Sequence, residues 1–280
     1  MPEETNIELA LRCQLEQFAH ISFAFLFGSA ASGRLNRDSD VDVAIYGDSG
    51  ANIEVESDRV LDDEISIQIA LERVTGRNVD LLVLNRAPAT VCTSALLTGC
   101  KLLIRSKALY TRYFLAVTNV AIDFLQTERE FREIRQRSSS LSELDRSRLE
   151  RILDSVSEEL TDRSIFINLS LDAYRTDRSL RRNVDRWVET LINAAVNVAK
   201  IILSSEGRAV PQTYAQILAE LESMPSFTSL SGCLVPLAGL RNLLVHEYLD
   251  IRYGKIRSFI DTDADAIAAL NDAAADWLGM

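Results

Sequence analysis

The hydrophobic period changes once along this chain, and that change limits the folds open to it. Up to about residue 86, short apolar runs of strand length alternate with helical patterning. Residues 21–27, 41–46 and 79–84 each read as a buried strand closed by a turn residue. From Ala87 onward no convincing strand is legible, and apolar residues recur at helical spacing to the end. The expectation is an α+β domain with a small mixed sheet, followed by an all-α bundle. Helices are predicted over 8–19, about 53–75, 109–137, 142–168, 180–205, 211–223 and 233–249, with an Ala-rich one at the tail. The 280 residues suit two domains, since single domains run to about 100–200. The serines 138–140 are the expected linker, giving domains 1–138 and 141–280.

Composition narrows the function classes. Net charge is −11, so a basic coat for non-specific nucleic-acid binding is excluded, and only a local arginine-bearing groove could serve RNA. No run approaches the roughly 18 apolar residues of a membrane span, and the acidic start Met1-Pro2-Glu3-Glu4 has no signal-peptide pattern. Cys13, Cys92, Cys100 and Cys233 form no CxxC pair and read as reduced, mostly buried cysteines. A cytoplasmic protein with no membrane partner is expected.

Two short segments carry chemistry. The first is Gly28-Ser29-Ala30-Ala31-Ser32-Gly33, continuing to Ser39-Asp40-Val41-Asp42. Residues two apart in a strand face the same way, so Asp40 and Asp42 present paired carboxylates suited to Mg²⁺. Gly28 and Gly33 allow a polyphosphate close to the backbone, and Ser29 adds a hydroxyl. Asp80, opening the next apolar run, can supply a third carboxylate. Three acids around two metals suit in-line attack on an α-phosphate. Taken singly, Gly-Ser and Asp-x-Asp mark no more than a turn and a strand entry. Arg34 and Arg37 suit either phosphate or solvent.

Taken together, these residues resemble the nucleotidyltransferase superfamily signature, and residues 1–138 are similar to its compact form, the minimal nucleotidyltransferase (MNT) domain. The resemblance implies that Gly28, Ser29, Gly33 and Ser39 hold the triphosphate of ATP. It further implies that Asp40, Asp42 and Asp80 bind Mg²⁺, with Asp80 as base for the incoming hydroxyl.

The second segment is Arg241-Asn242-Leu243-Leu244-Val245-His246-Glu247-Tyr248. On a helix Arg241 and His246 diverge by about 140°, yet both can reach one groove at a helix seam. An imidazole can move a proton near neutral pH, and a guanidinium can hold a phosphate in a bidentate fork. The same pair equally suits a buried hydrogen-bonded couple. Residues 141–255 resemble HEPN domains, helical bundles marked by Arg, four to six residues, then His. The longer pattern through Tyr248 is that of HEPN toxins paired with MNT antitoxins. The resemblance implies an RNA-cutting homodimer in which two Arg/His sets share a cleft, with Asn242 supporting the site. It also implies that Tyr248 accepts AMP from the MNT domain, which disables the nuclease.

A rival expectation makes the helical half the substrate-binding wall of a small-molecule nucleotidyltransferase, as in aminoglycoside-modifying enzymes. A third makes the chain a non-catalytic, nucleotide-responsive interaction module. Trp187, Trp277 and the apolar stripe of 187–203 read as core or dimer interface. Arg129, Arg132, Arg135 and Arg137, interleaved with glutamates, read as a solvated face, and the aspartates 261, 263 and 265 as a helix cap.

Overall fold

The computed structural model describes residues 2–31, 40–48, 50, 53–138, 140–209, 211–246 and 249–280, with backbone only at 2–6, 242–243, 245–246 and 249–251. It divides into two compact units, Met1–Asp123 and Phe124–Met280.

The first unit begins with α1 (Pro2–Leu15), β1 (Ile21–Phe27), the single turn α2 (Gly28–Ala31) and β2 (Val41–Gly47). It continues through α3 (Glu64–Thr75), β3 (Val79–Val83), α4 (Ala89–Thr98), β4 (Cys100–Ile104) and the start of α5 (Lys107–Arg137). The strands form one mixed sheet in the order β3-β2-β1-β4, with β2 and β3 parallel and the other pairs antiparallel. One face, with Val41, Val43 and Ile45, is covered by Leu11 and Leu15 of α1 and Ile67 and Leu71 of α3. The other, with Phe23, Phe25, Ala44 and Tyr46, is covered by Cys92 and Ala95 of α4 and Tyr113 and Val117 of α5. A sheet covered on both faces has continuous apolar strands, which is why 21–27 and 41–46 read as unbroken runs.

Two expectations are corrected here. A fourth strand, β4, lies in the stretch that showed no strand pattern. It sits at the sheet edge and pairs only with β1. Residues 53–63 are not helical, and α3 starts only at Glu64. Side-chain bonds hold that segment instead. Buried Asn85 clamps Gly47 through both its amide atoms (2.9 Å each) and donates to Glu54 Oε2 (2.6 Å), while the Glu54 N–H donates to Tyr46 Oη (2.9 Å). The cysteines are also less buried than expected: Cys92 is buried, but Cys13 and Cys233 are exposed.

The second unit is helical throughout its described residues. After the end of α5 come α6 (Glu143–Thr161), α7 (Arg163–Phe166), α8 (Leu171–Thr176), α9 (Arg178–Ser205), α10 (Tyr214–Glu222), α11 (Val235–His246), α12 (Leu249–Ser258) and α13 (Ala264–Leu278). A short π-helical stretch, Phe259–Asp263, joins the last two. The helix α9 is long and apolar enough to cross a membrane, but 72% of that window is buried as the core of the bundle. Trp187 packs edge-on to Phe259 (5.5 Å between centroids), and its indole N–H donates to the Glu159 carbonyl (2.7 Å). The units divide inside α5, ahead of the serines. Tyr113, Val117 and Val120 belong to the sheet core, whereas Phe124, Phe131 and Ile134 belong to the bundle core. The aspartates near the tail do not cap a helix through their side chains. Asp261 pairs with Arg257, and Asp265 with Arg163.

Candidate functional site

In the first unit the site is a consequence of register. Asp42 of β2 and Asp80 of β3 are direct partners in the parallel pairing, so their side chains leave the sheet on the same side. Asp40 stands just ahead of β2 and is exposed. The burial and closeness of these acids are felt at Asp42. Desolvation raises its pKa first, then the charges of Asp80 and Asp40, and a hydrogen bond from the backbone of Ser29 offsets part of the rise.

Phe27, the last residue of β1, pairs with Asp42 across the antiparallel ladder, which brings Gly28 against the same carboxylate. Gly28 has φ +67°, and a Cβ built on it would lie 2.0 Å from Asp42 Oδ2. Both the left-handed backbone and the contact demand glycine. The structure thus brings Gly28, Asp42 and Asp80 together, with Ser29 next in the turn and Asp40 exposed just ahead of β2. Among the described residues no three acidic, histidine or cysteine side chains already converge as a ligand set on one point. The donors nevertheless fit a hard divalent cation: they are carboxylates, and their mutual repulsion is what a bound positive charge would relieve. Gly33, Arg34, Arg37 and Ser39 lie outside the described residues.

In the second unit Arg241 and His246 both lie on α11, His246 as its last residue. Arg241 is positioned by two other helices. Its Nε donates to Asn193 Oδ1 of α9 (2.9 Å), and its guanidinium carbon sits 4.0 Å from the centroid of the Tyr214 ring of α10. Tyr214 is itself buried, with its hydroxyl 3.3 Å from Thr127 Oγ1. The planar guanidinium is thus stacked on one side and fixed at one edge. Asn242 and His246 are described in backbone alone, and Tyr248 lies outside the described residues. Sequence reasoning named Arg241 but missed Asn193 and Tyr214, which hold it. The one available signal was a polar asparagine inside the apolar run of α9.

Asn193 also lines a cleft of about 370 Å³ between α6 and α9. Arg148, Arg151 and Ser155 of α6 and Arg186, Thr190 and Asn197 of α9 share that lining. Farther along α9, Lys200, only 2% exposed, is paired with Glu130. Burial alone would raise the Glu130 carboxyl, but the Lys200 ammonium outweighs it, with Gln126 and Arg148 adding to the effect, and holds it below the ordinary glutamate value.

A mixed sheet with acids at the register-paired ends of β2 and β3 is the plan of a nucleotidyltransferase domain, here followed by a helical bundle. Residues 11–108 match the family model "Polymerase beta, Nucleotidyltransferase". Residues 130–273, just over half the chain, match "Ribonuclease HepT-like", and the chain belongs to that family. It is 31% identical over 104 residues to a protein named tRNA nuclease HepT from Aphanizomenon flos-aquae (strain 2012/KM1/D3), covering 37% of this chain and 71% of that one. A solved structure described as a toxin-antitoxin with AMP-PNP is 20% identical, covers 42% of this chain and 92% of its own, and has a TM-score of 0.34, a likeness too slight to carry an argument.

Proposed function

We propose that the N-terminal domain transfers AMP from ATP to Tyr248, and that this modification restrains a metal-independent ribonuclease built on Arg241 and His246. The observation that carries the first half is the packing of Asp42 against Gly28 with Asp80 as its register partner. That arrangement sets a partly desolvated carboxylate beside two like charges, an electrostatic cost that a bound cation relieves.

Asp40, Asp42 and Asp80 would hold Mg²⁺, which supplies positive charge against the triphosphate and the departing pyrophosphate. The turn from Gly28 into Ser29 gives the phosphates close access to the backbone. Asp80 takes the proton of the tyrosine hydroxyl. The phenolic oxygen then bonds to the α-phosphorus, and the bond from that phosphorus to the α–β bridging oxygen breaks.

In the ribonuclease, His246 removes the proton of a ribose 2′-hydroxyl. The 2′-oxygen bonds to the adjacent phosphorus, the bond to the 5′-oxygen breaks, and that oxygen takes a proton from the second imidazole of a homodimer. Arg241, pre-set by Asn193 and Tyr214, lies against the phosphate charge. An AMP on Tyr248 would fill the cleft and cancel the positive charge RNA needs. On this reading the chain works in the cytoplasm as a toxin–antitoxin-like pair on one polypeptide.

Intact-mass measurement with Mg·ATP tests the transfer. One added AMP that disappears in Tyr248→Phe supports it, whereas no adduct, or one that survives the substitution, refutes it. RNA cleavage in EDTA, lost in His246→Ala, tests the nuclease. Turnover of a small-molecule alcohol without protein modification would favour the aminoglycoside-type reading instead.

A further inference from the structure

The cleft between α6 and α9 is assembled from two regular helical stripes. On α6 its residues are 148, 151, 152 and 155, and on α9 they are 186, 190, 193, 194 and 197. Steps of three and four place each set on one helix face. The opposite face of α9, with Val188, Leu191, Ile192 and Ala195, is buried in the core. The cleft lining carries three arginines, the neutral hydrogen-bonding groups of Ser155, Thr190, Asn193 and Asn197, and no carboxylate. In a chain of net charge −11, such a stripe is a local reversal of sign.

The arginines differ in how far they are engaged. Arg148 reaches Glu130 at 3.6 Å, and that same carboxylate is already paired with buried Lys200. Its charge is therefore shared between two cations, and Arg148 is left incompletely neutralised. Arg186 makes an exposed ion pair with Glu189 at 3.3 Å, of a kind that is weak in water and readily exchanged for a phosphate. Arg151 is exposed and makes no ion pair among the described residues.

The position of this cleft gives it meaning. Asn193 lines it and also accepts the hydrogen bond that fixes Arg241, so the basic stripe runs up to the guanidinium assigned to the scissile phosphate. From Arg186 to Asn197 the groove follows α9 for about 16 Å, long enough for a run of consecutive phosphates. Arginine forks match phosphate oxygens, and the amides and hydroxyls between them can meet sugar or phosphate oxygens.

We infer that the α6–α9 groove is a subsite for the sugar–phosphate backbone of single-stranded RNA, holding the stretch that flanks the bond cut at Arg241. The inference rests on the ribonuclease reading above. It assigns Arg148, Arg151 and Arg186 to substrate retention, not to chemistry. A two-fold contact with a second copy of the chain is the competing use of the same surface. A like-charged, carboxylate-free lining is poorly suited to self-complementary packing.

The test uses the full chain. Binding of a fluorescent single-stranded RNA oligonucleotide is measured in a His246→Ala background, with and without R151A/R186A, over a range of salt. Loss of two phosphate contacts is expected to weaken binding by about tenfold or more and to flatten the log–log salt slope by about 1.4. R151K/R186K should recover most of the affinity. In the otherwise wild-type chain, R151A/R186A should raise KM for RNA cleavage with little change in kcat, and leave ATP binding untouched.

Wild-type cleavage with unchanged RNA affinity and slope in R151A/R186A would overturn the groove alone. So would a loss confined to ATP, or a fall in oligomer mass by light scattering. A wild-type chain that neither binds nor cuts RNA would overturn the ribonuclease reading and the groove with it. Both altered residues are exposed, and a matching thermal melt confirms that the variant is folded.

Discussion

The two candidate sites are held by different means. Around Asp42 the positions are set by main chain. Parallel register places Asp80 beside it, antiparallel register places Phe27 opposite, and the residue after Phe27 must be glycine because the carboxylate occupies the space of its Cβ. Around Arg241 the positions are set by side chains from three helices, with Asn193 bonded to one edge of the guanidinium and Tyr214 beneath its plane. A backbone-built site tolerates few substitutions and fails abruptly. A site built from side chains should degrade in steps, each matching one contact.

The largest effect expected in the first site is that of Asp42→Asn. It should cut adenylyl transfer by roughly a thousandfold or more, about 4 kcal/mol of barrier, read as the rate of mass gain with Mg·ATP. The folded state should be no less stable, because the substitution removes a desolvated charge repelled by Asp80 and Asp40. Gly28→Ala should harm both activity and fold. Positive φ in a residue with a side chain costs about 1–3 kcal/mol, and the displaced Asp42 should slow transfer by at least about a hundredfold, some 2.7 kcal/mol. A Gly28→Ala chain with wild-type melting temperature and transfer rate would break the contrast drawn above.

This contrast also explains what could be read from the sequence. Strands β1 and β2 were legible because burial on both faces makes their residues almost uniformly apolar, and β3 because the apolar run 81–84 is closed by Asn85. Strand β4, Cys-Lys-Leu-Leu-Ile, was not, because only Gly99 separates it from the apolar helix α4, so its residues run on from that helical pattern. Residues 53–63 precede the helical pattern of α3 without a clear break in sequence, and only the bond from Asn85, 31 residues from Glu54, shows why they do not join that helix. Asp42 and Asp80 were legible because alternation and strand order suffice to bring them together. Asn193 was not: it lies 48 residues from Arg241, and no local pattern encodes a hydrogen bond across a helix seam. The arginine stripe of α6 and α9 lay open in the sequence but needed the packing of the two helices to become a groove.

In the second site, Asn193→Ala should slow RNA cleavage by about tenfold or more, as expected for losing a hydrogen bond to a charged group. Asn193→Asp, which keeps the acceptor, should recover much of the loss in kcat at saturating RNA, while its added charge in the groove raises KM. If Ala and Asp are equally impaired, Asn193 does not act through Arg241. A smaller effect separates the sites by pH. Asp42 has its pKa raised on folding, so over that range the native state binds more protons than the unfolded chain. Its contribution to stability therefore declines as pH rises from the ordinary aspartate value through the raised one. Chemical denaturation of wild type and Asp42→Asn across the acidic range should show this decline in the former only.

Tyr214→Phe should have the smallest effect of all. The substitution keeps the ring under Arg241 and removes only the hydroxyl near Thr127. Loss of the neutral hydrogen bond to Thr127 is worth about 0.5–1.5 kcal/mol of stability, and with the ring kept RNA cleavage should change by less than about threefold, under 0.7 kcal/mol. Tyr214→Leu instead removes the π face. A desolvated cation–π contact contributes up to about 2 kcal/mol, so cleavage should fall well below the Phe variant at equal folded fraction. The ratio of the two variants isolates stacking from packing. A Phe variant as impaired as Leu would mean that the hydroxyl, not the ring, holds the guanidinium, and the stepwise character assigned to this site would be lost.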